Sequence, residues 1–210
     1  MGRYTGAKCR LCRYVGTKLM LKGERCFSAK CALEKKKEAP GRQPLNRRRR
    51  KVSAWGERLK EKQKVRFSYG VMEKQFRGTF ARATRAPGDT GDNLFILLER
   101  RLDNVTYRLG FAGSRAQARQ IVRHGHIWLN GRKTDIPSCL VKEGDVIEWK
   151  ERSQKTGCYD MAVEEAKGKS VPVWLSLDVE KMKGKMLRLP EAEEVVAGFD
   201  GRAIVEFYSR

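Results

Sequence analysis

Apolar residues return every three or four positions through the middle of this chain. Val52, Trp55 and Leu59 open the pattern, and Tyr69, Met72, Phe76 and Phe80 continue it. Leu94, Leu98, Leu102, Val105 and Leu109 complete it. Each set marks one face of an amphipathic helix, which gains stability by burying that face against a neighbour. Pro87-Gly88 separates the second stripe from the third, because proline lacks a backbone donor and breaks a continuing helix. The leucine stripe reads as one helix, stopped by Gly110 in a left-handed conformation.

After Gly110 the period changes. Ser114-Arg115-Ala116-Gln117 fits a capping box, in which the Ser hydroxyl and the Gln side chain satisfy orphan amides. The helix it opens closes at Gly125. Ile127-Trp128-Leu129, Asn130-Gly131 and Arg132-Lys133-Thr134 then read as a hairpin, since Asn-Gly supplies both positive-φ positions of a type I′ turn. Val146 to Trp149 reads as a further strand, with Val171–Leu175 and Ala203–Tyr208 as later strand candidates. No solenoid-type repeat is present. The expected fold class is α+β. A basic N-terminal segment over 1–45 precedes a mostly helical domain over 46–95, to which part of the C-terminal tail is a candidate addition. An α+β domain over 96–210, an antiparallel sheet with helices, follows and holds a small unit at 111–150.

Charge narrows the function. The 210 residues carry 46 Lys+Arg against 25 Asp+Glu, a formal net of +21. That is far from an ordinary soluble enzyme and implies a polyanionic partner, either nucleic acid or an anionic membrane. Residues 1–70 alone hold 22 basic and 5 acidic side chains, so the excess is concentrated at one end. The run Arg47-Arg48-Arg49-Arg50-Lys51 is expected to stay extended until phosphates neutralise it. No segment approaches the roughly 18 consecutive apolar residues of a membrane span. The N-terminus lacks the apolar run of a signal peptide, and Gly6 breaks the myristoylation pattern. A soluble, cytosolic protein without a membrane partner is expected. In a reducing compartment its six cysteines are poor candidates for disulfides.

Four of those cysteines cluster. Cys9-x-x-Cys12 and Cys26-x-x-x-x-Cys31 form two pairs with thirteen residues between them. A CxxC turn puts two thiolates on one side of a tight loop, and a second pair at this distance completes a tetrahedron around Zn²⁺. Such a site has no open position, so one structural Zn²⁺ per chain would supply folding energy to a segment with little apolar core. Four thiolates also suit an iron–sulfur cluster, and spacing does not separate the two. Cys139 and Cys158 stand alone and read as small core residues.

Arg115, Arg119 and Arg123 recur every fourth residue and make a cationic stripe on one helix face, while Ala118, Ile121 and Val122 mark the face that packs inward. The hairpin adds Asn130, Arg132 and Lys133 beside the helix end. Guanidinium groups and a helix N-terminus both favour phosphate, and a helix beside a hairpin suits a structured RNA backbone. His124 and His126 read as packing or phosphate-contacting residues, because no Cys or acidic residue adjoins them.

Taken together, Glu61–Arg66, Tyr69–Phe76, Leu98–Asn104, Ala118–His126, Asn130-Gly131, Ile136-Pro137-Ser138, Gly144–Ile147 and Phe207–Arg210 resemble the ribosomal protein S-four family. The resemblance runs through essentially the whole chain in the family's order. It implies that 111–150 is the family's RNA-binding module. It implies a cytoplasmic, non-enzymatic protein of the small ribosomal subunit that binds its ribosomal RNA and nucleates assembly of the subunit body. It also implies a place where messenger RNA enters, beside ribosomal proteins S-three and S-five, and a bearing on decoding accuracy. No small-molecule substrate is implied. The RNA contacts carried over are Arg47, Arg48, Arg49, Arg50 and Lys51, then Ser114, Arg115, Gln117, Arg119 and Arg123. His124, Asn130 and Lys133 come next, and Arg3, Lys8, Arg10 and Arg13 are expected to meet phosphates. Only some members carry the four cysteines, so the zinc expectation stands on this chain's own spacing.

Two other classes fit parts of the pattern. An RNA-modifying enzyme such as a pseudouridine synthase carries the same module and an Arg-Leu-Asp motif. Here Arg101-Leu102-Asp103 precedes the module, and Asp103 reads as a helix-surface ion-pair partner. Only 60 residues follow position 150, too few for that catalytic domain. A zinc-ribbon DNA-binding regulator would share the charge and the cysteines, but neither a helix-turn-helix pair nor a dimerising heptad is visible.

Overall fold

In chain order the elements are α1 (Cys9–Val15), α2 (Ala32–Lys35), α3 (Ala54–Tyr69), α4 (Glu73–Arg85), α5 (Thr90–Glu99), α6 (Leu102–Arg108), α7 (Arg115–Arg123), β1 (Ile127–Leu129), β2 (Arg132–Lys133), β3 (Val146–Trp149), α8 (Gly157–Gly168), β4 (Leu175–Asp178), β5 (Lys183–Met186), α9 (Ala192–Val195) and α10 (Gly201–Tyr208). This computed structural model describes residues 4–35, 40–41, 52–195 and 198–209. The chain forms two units, Met1–Gly91 with Gly198–Arg210, and Asp92–Ala197. The N-terminal cysteine segment and the helices after it thus share one unit, which the last residues of the chain rejoin.

In the first unit, α3 starts where the Ser53 hydroxyl accepts the Gly56 N–H at 3.2 Å, and ends at Gly70, φ 63°. Val65 and Tyr69 of α3 and Phe76 and Ala83 of α4 are buried, whereas Val52 and Trp55, expected on a buried face, are exposed, and the Tyr69–Phe80 stripe is divided between the two helices at Gly70. The Ala203–Tyr208 segment, expected as a strand, is instead the helix α10. The Asp200 carboxylate accepts the Ala203 N–H at 3.1 Å and caps it. Ile204, Phe207 and Tyr208 then fall on one helical face: Ile204 is fully buried, Phe207 meets Trp55, and Tyr208 stacks on Phe80 with ring centroids 4.6 Å apart. β-branched and aromatic residues favour strands only when a sheet edge is at hand; here α10 packs on α3.

In the second unit the leucine stripe is two helices, not one. Arg101 is extended, with ψ 136°, and bridges Leu140. The Leu102 N–H donates to Cys139 O and the Val141 N–H to Arg100 O, both at 2.8 Å. Pairing with a distant loop therefore interrupts the helix, and Leu98 before the break and Leu102 after it are both fully buried. The sheet is antiparallel throughout, in the order β2-β1-β3-β5-β4. Expected at Val171–Leu175, the fourth strand begins only at Leu175, because Pro172 has no N–H for a ladder and its carbonyl accepts the Leu175 N–H in a turn. Leu102 and Val105 of α6 and Leu109 at its C-cap meet Ala118, Ile121 and Val122 of α7, Ala162 and Ala166 of α8, and the sheet residues Ile127, Ile147, Trp149 and Met186 in one core. Cys139 and Cys158 pack at its margin, and burial pushes both thiols up.

Gly184 of β5 has no room for a side chain: a Cβ there would stand 2.4 Å from Leu109 Cδ1, and Leu109 is fully buried. Gly184→Ala is expected to cost about 1–3 kcal/mol through overpacking. Urea denaturation of the variant tests this, and an unchanged midpoint would mean that Leu109 has space to turn. Among the described residues no helix is long and apolar enough to cross a membrane.

Candidate nucleic-acid interface

Helix α7 begins at Ser114, whose hydroxyl accepts the Gln117 N–H at 3.3 Å. The Gln117 carbonyl oxygen accepts in return from Gly113 N–H at 3.2 Å, one residue earlier than a capping box requires. Ala118, Ile121 and Val122 are buried, as their spacing predicts. Asn130 (φ 51°) and Gly131 (φ 71°) form the tight turn of the hairpin. The Asn130 side chain fastens that turn to β3: its oxygen accepts the Val146 N–H and its amide donates to Asp145 Oδ1, both at 2.8 Å. The Lys133 stem lies against Gly125, where a Cβ would approach its Cε to 2.7 Å. This brings Lys133 to the end of α7 that carries the exposed Arg123 and His124.

At the other end of α7, two of the three arginines turn inward. Arg119 donates to Asp103 Oδ2 at 2.9 Å. Arg115 donates through Nε to Asn104 Oδ1 at 2.6 Å and stands 3.8 Å from Glu99 Oε1. Both acids are buried, with Glu99 wholly inaccessible. Each already holds a bidentate fork: Arg108 on Glu99 at 2.9 and 2.8 Å, and Arg101 on Asp103 at 3.1 and 2.8 Å. Asn104 also donates to Glu99 Oε2 at 2.7 Å. Asp103 is thus a buried junction between two arginines, not the helix-surface partner expected from its position. Arg123 alone of the three keeps the exposed place predicted for the stripe.

The sequence reading also missed Lys169. Its ammonium lies 3.5 Å from the Tyr107 ring centroid and donates to the Tyr107 carbonyl at 2.5 Å. The Arg115 guanidinium sits 4.7 Å from the same ring. Burial, then repulsion from Arg115 and Arg108 against the pull of Glu165, lowers the Lys169 amine to about 8. The signal that could have located this cluster is the pair Glu99 and Asp103, two acids four residues apart within an apolar stripe. His126 is half-buried, with Nδ1 2.9 Å from Ser153 Oγ. Burial, then His124 and Lys150, hold it below the usual histidine range, so it is neutral at pH 7.

Two of the four N-terminal cysteines lie in α1, Cys26 ends the turn at Gly23–Cys26, and Cys31 immediately precedes α2. Cys12, Cys26 and Cys31 are buried and Cys9 is half-buried. Burial pushes the Cys12 thiol up, a backbone hydrogen bond at Leu19 opposes it, and Cys26, Cys9 and Cys31 push it further. The Lys22 N–H donates to Cys26 Sγ at 3.4 Å. Among the described residues no group of three or more Cys, His, Asp or Glu is drawn into a metal cage. Four soft thiol donors around a segment with one buried Leu still match zinc in kind. Lys8 donates to Tyr4 O at 2.6 Å, Arg10 is exposed, and Arg13 is half-buried in the last turn of α1. Arg3 and the run Arg47, Arg48, Arg49, Arg50, Lys51 lie outside the described residues.

Residues 3–99 match the ribosomal protein S4/S9 N-terminal domain, and residues 100–147 match the S4 domain. The small ribosomal subunit protein uS4 of Dehalococcoides mccartyi is 52% identical over 210 residues, all of both chains. Those of Geotalea uraniireducens and Thermus thermophilus are 51% and 53% identical over the same full lengths. The chain belongs to the uS4 family of small-subunit ribosomal proteins, a structural rather than an enzymatic family.

Proposed function

We propose that the chain is a structural protein of the small ribosomal subunit, in the cytoplasm, that binds small-subunit ribosomal RNA through α7 and the β1–β2 hairpin. The observation that carries this reading is a capped helix within the matched S4 domain, with Arg115 and Arg119 held at one end and Arg123, His124 and Lys133 gathered at the other. The N-terminus of α7 attracts phosphate, the guanidinium groups grip it, and Ser114 and Gln117 fix where the helix begins. Neutralised phosphates release counterions, which supplies salt-sensitive affinity, and the held arginines supply shape. The basic run Arg47–Lys51 adds to the first contribution.

Finer parts of the reading rest on the family resemblance, and the zinc rests on this chain's own cysteine spacing. The protein nucleates assembly of the subunit body, stands beside ribosomal proteins S-five and S-three near where messenger RNA enters, and contributes to decoding accuracy. Cys9, Cys12, Cys26 and Cys31 hold one structural Zn²⁺, which fixes the N-terminal segment and takes part in no reaction. The enzyme alternative is disfavoured by Asp103, whose carboxylate is buried between Arg101 and Arg119 and has no approach for a substrate.

The test is binding to small-subunit ribosomal RNA at fixed near-physiological salt, against a large-subunit fragment of equal length. A preference of about a hundredfold, roughly 2.7 kcal/mol, is expected. Equal binding would reduce the affinity to bulk charge. Replacing Arg47–Lys51 by alanine is expected to flatten the salt dependence by about one unit of slope per lost phosphate contact; an unchanged slope would remove the run from the interface.

A further inference from the structure

Burying a carboxylate is costly, and an apolar residue of similar volume usually serves stability as well or better. The second unit nevertheless buries two, Glu99 and Asp103, directly beneath α7. Neither needs α7 for charge compensation, because Arg108 and Arg101 already grip them with bidentate forks. A second guanidinium still comes to each from α7: Arg119 onto Asp103 Oδ2 at 2.9 Å, and Arg115 toward Glu99 Oε1 at 3.8 Å. Asn104 links the second pair, accepting from Arg115 Nε at 2.6 Å while donating to Glu99 Oε2 at 2.7 Å. Each carboxylate thus faces two guanidinium groups. Both α7 side chains remain partly open to solvent, at 16% for Arg115 and 19% for Arg119. Arg115 is aimed further by the Tyr107 ring that Lys169 also faces.

We infer that Glu99, Asp103 and Asn104 are positioning residues for RNA binding: they hold Arg115 and Arg119 in fixed directions so that the guanidinium groups are presented to RNA phosphates without a loss of side-chain freedom on binding. An arginine left loose on a helix face gives up side-chain freedom when it is immobilised; one already held does not. This inference rests on the reading that α7 meets RNA.

The sign of one substitution separates positioning from charge. Asp103→Asn removes a negative charge beside the interface, so charge alone predicts tighter RNA binding. Positioning predicts weaker binding, by about tenfold, the scale of one charge-assisted hydrogen bond. The experiment measures the affinity of the full chain for small-subunit ribosomal RNA in four forms: unaltered, Asp103→Asn, Arg119→Ala and both together. The expected result is a tenfold loss for Asp103→Asn that vanishes in the Arg119→Ala background. Unchanged or tighter binding overturns the inference, and so does an equal loss in both backgrounds, which would mean that Asp103 acts through the fold. A parallel cycle of Asn104→Ala with Arg115→Ala, which changes no charge at position 104, decides the matter if Asp103→Asn fails to fold. If Arg115→Ala and Arg119→Ala both leave affinity unchanged while the hundredfold preference persists, α7 is not the contact and the inference falls with it. If that preference is absent in the unaltered protein, the functional reading itself fails.

Discussion

On the proposal that the four cysteines hold zinc, adding a chelator, or replacing Cys26 by Ser, is expected to unfold residues 4–35 and to leave the helices from Ala54 onward intact. Among the described residues of this segment, Leu19 is the only buried apolar side chain besides Cys12, Cys26 and Cys31. Its helices are short, with seven residues in α1 and four in α2. Isolated helices of that length do not hold in water. The edge contact of Tyr14 on Phe67, at 6.4 Å between ring centroids, ties the segment to α3 but is small beside what ordering some thirty residues costs. Structural zinc supplies about 10–16 kcal/mol at neutral pH, enough to reverse that balance. The measurement is limited proteolysis with mass detection, alongside helical circular dichroism, with and without a chelator. Cleavage confined to the first 35 residues is the expected outcome. Loss of the whole helical signal would mean that α3, α4 and α10 depend on the knuckle, and full resistance would mean that the four thiols hold nothing.

What the sequence disclosed and what it concealed divide by the range of the interactions. The Asn130-Gly131 turn was legible because two adjacent residues with φ 51° and 71° settle it locally. The Ser114 cap and the buried triad Ala118, Ile121 and Val122 were legible for the same reason, since one helix face carries the information. The break at Arg101 was not, because it depends on Cys139 and Val141, some forty residues on. Nor was α10, whose apolar residues have strand propensity and become helical by packing on α3. In the candidate site, the positions of Arg115 and Arg119 were found but not their direction. A stripe of arginines says which face they share; only Glu99, Asp103 and Asn104, on other helices, say where they point.

Glu73→Ala is expected to destabilise the first unit by about 1–3 kcal/mol, the cost of leaving a buried donor without its partner. The donor at risk is Lys62, whose side chain is only 4% exposed. Its ammonium donates to both Glu73 oxygens, at 2.8 and 2.9 Å, and lies 4.9 Å from the Phe207 ring centroid. Tyr208 closes the arrangement by donating to Glu73 Oε1 at 2.8 Å, so the last turn of α10 is fastened to α3 and α4 through one carboxylate. Lys62→Met should be far milder. The thioether fills the same slot against Phe207 and Tyr208, while Glu73, 44% exposed, keeps Arg66 at 3.4 Å, Tyr208 and water. The asymmetry is the test: equal losses for the two variants would mean that the ion pair contributes through packing alone. Acid gives a second reading of the same contact. Burial alone would raise the Glu73 carboxyl, but hydrogen bonds from Lys62 and Tyr208 outweigh it and hold the group below the ordinary carboxylate value. A depressed carboxyl contributes stability above its unfolded pKa and loses it as pH falls through the folded one. Urea midpoints should therefore fall below about pH 4.5 in the unaltered protein, and Glu73→Gln should remove this group's share of the fall. Burial first, and then Glu73, hold the Tyr208 hydroxyl far above its usual range, so it remains a donor at every pH where the protein is folded. The acid limb then reports on Glu73 and not on its tyrosine partner.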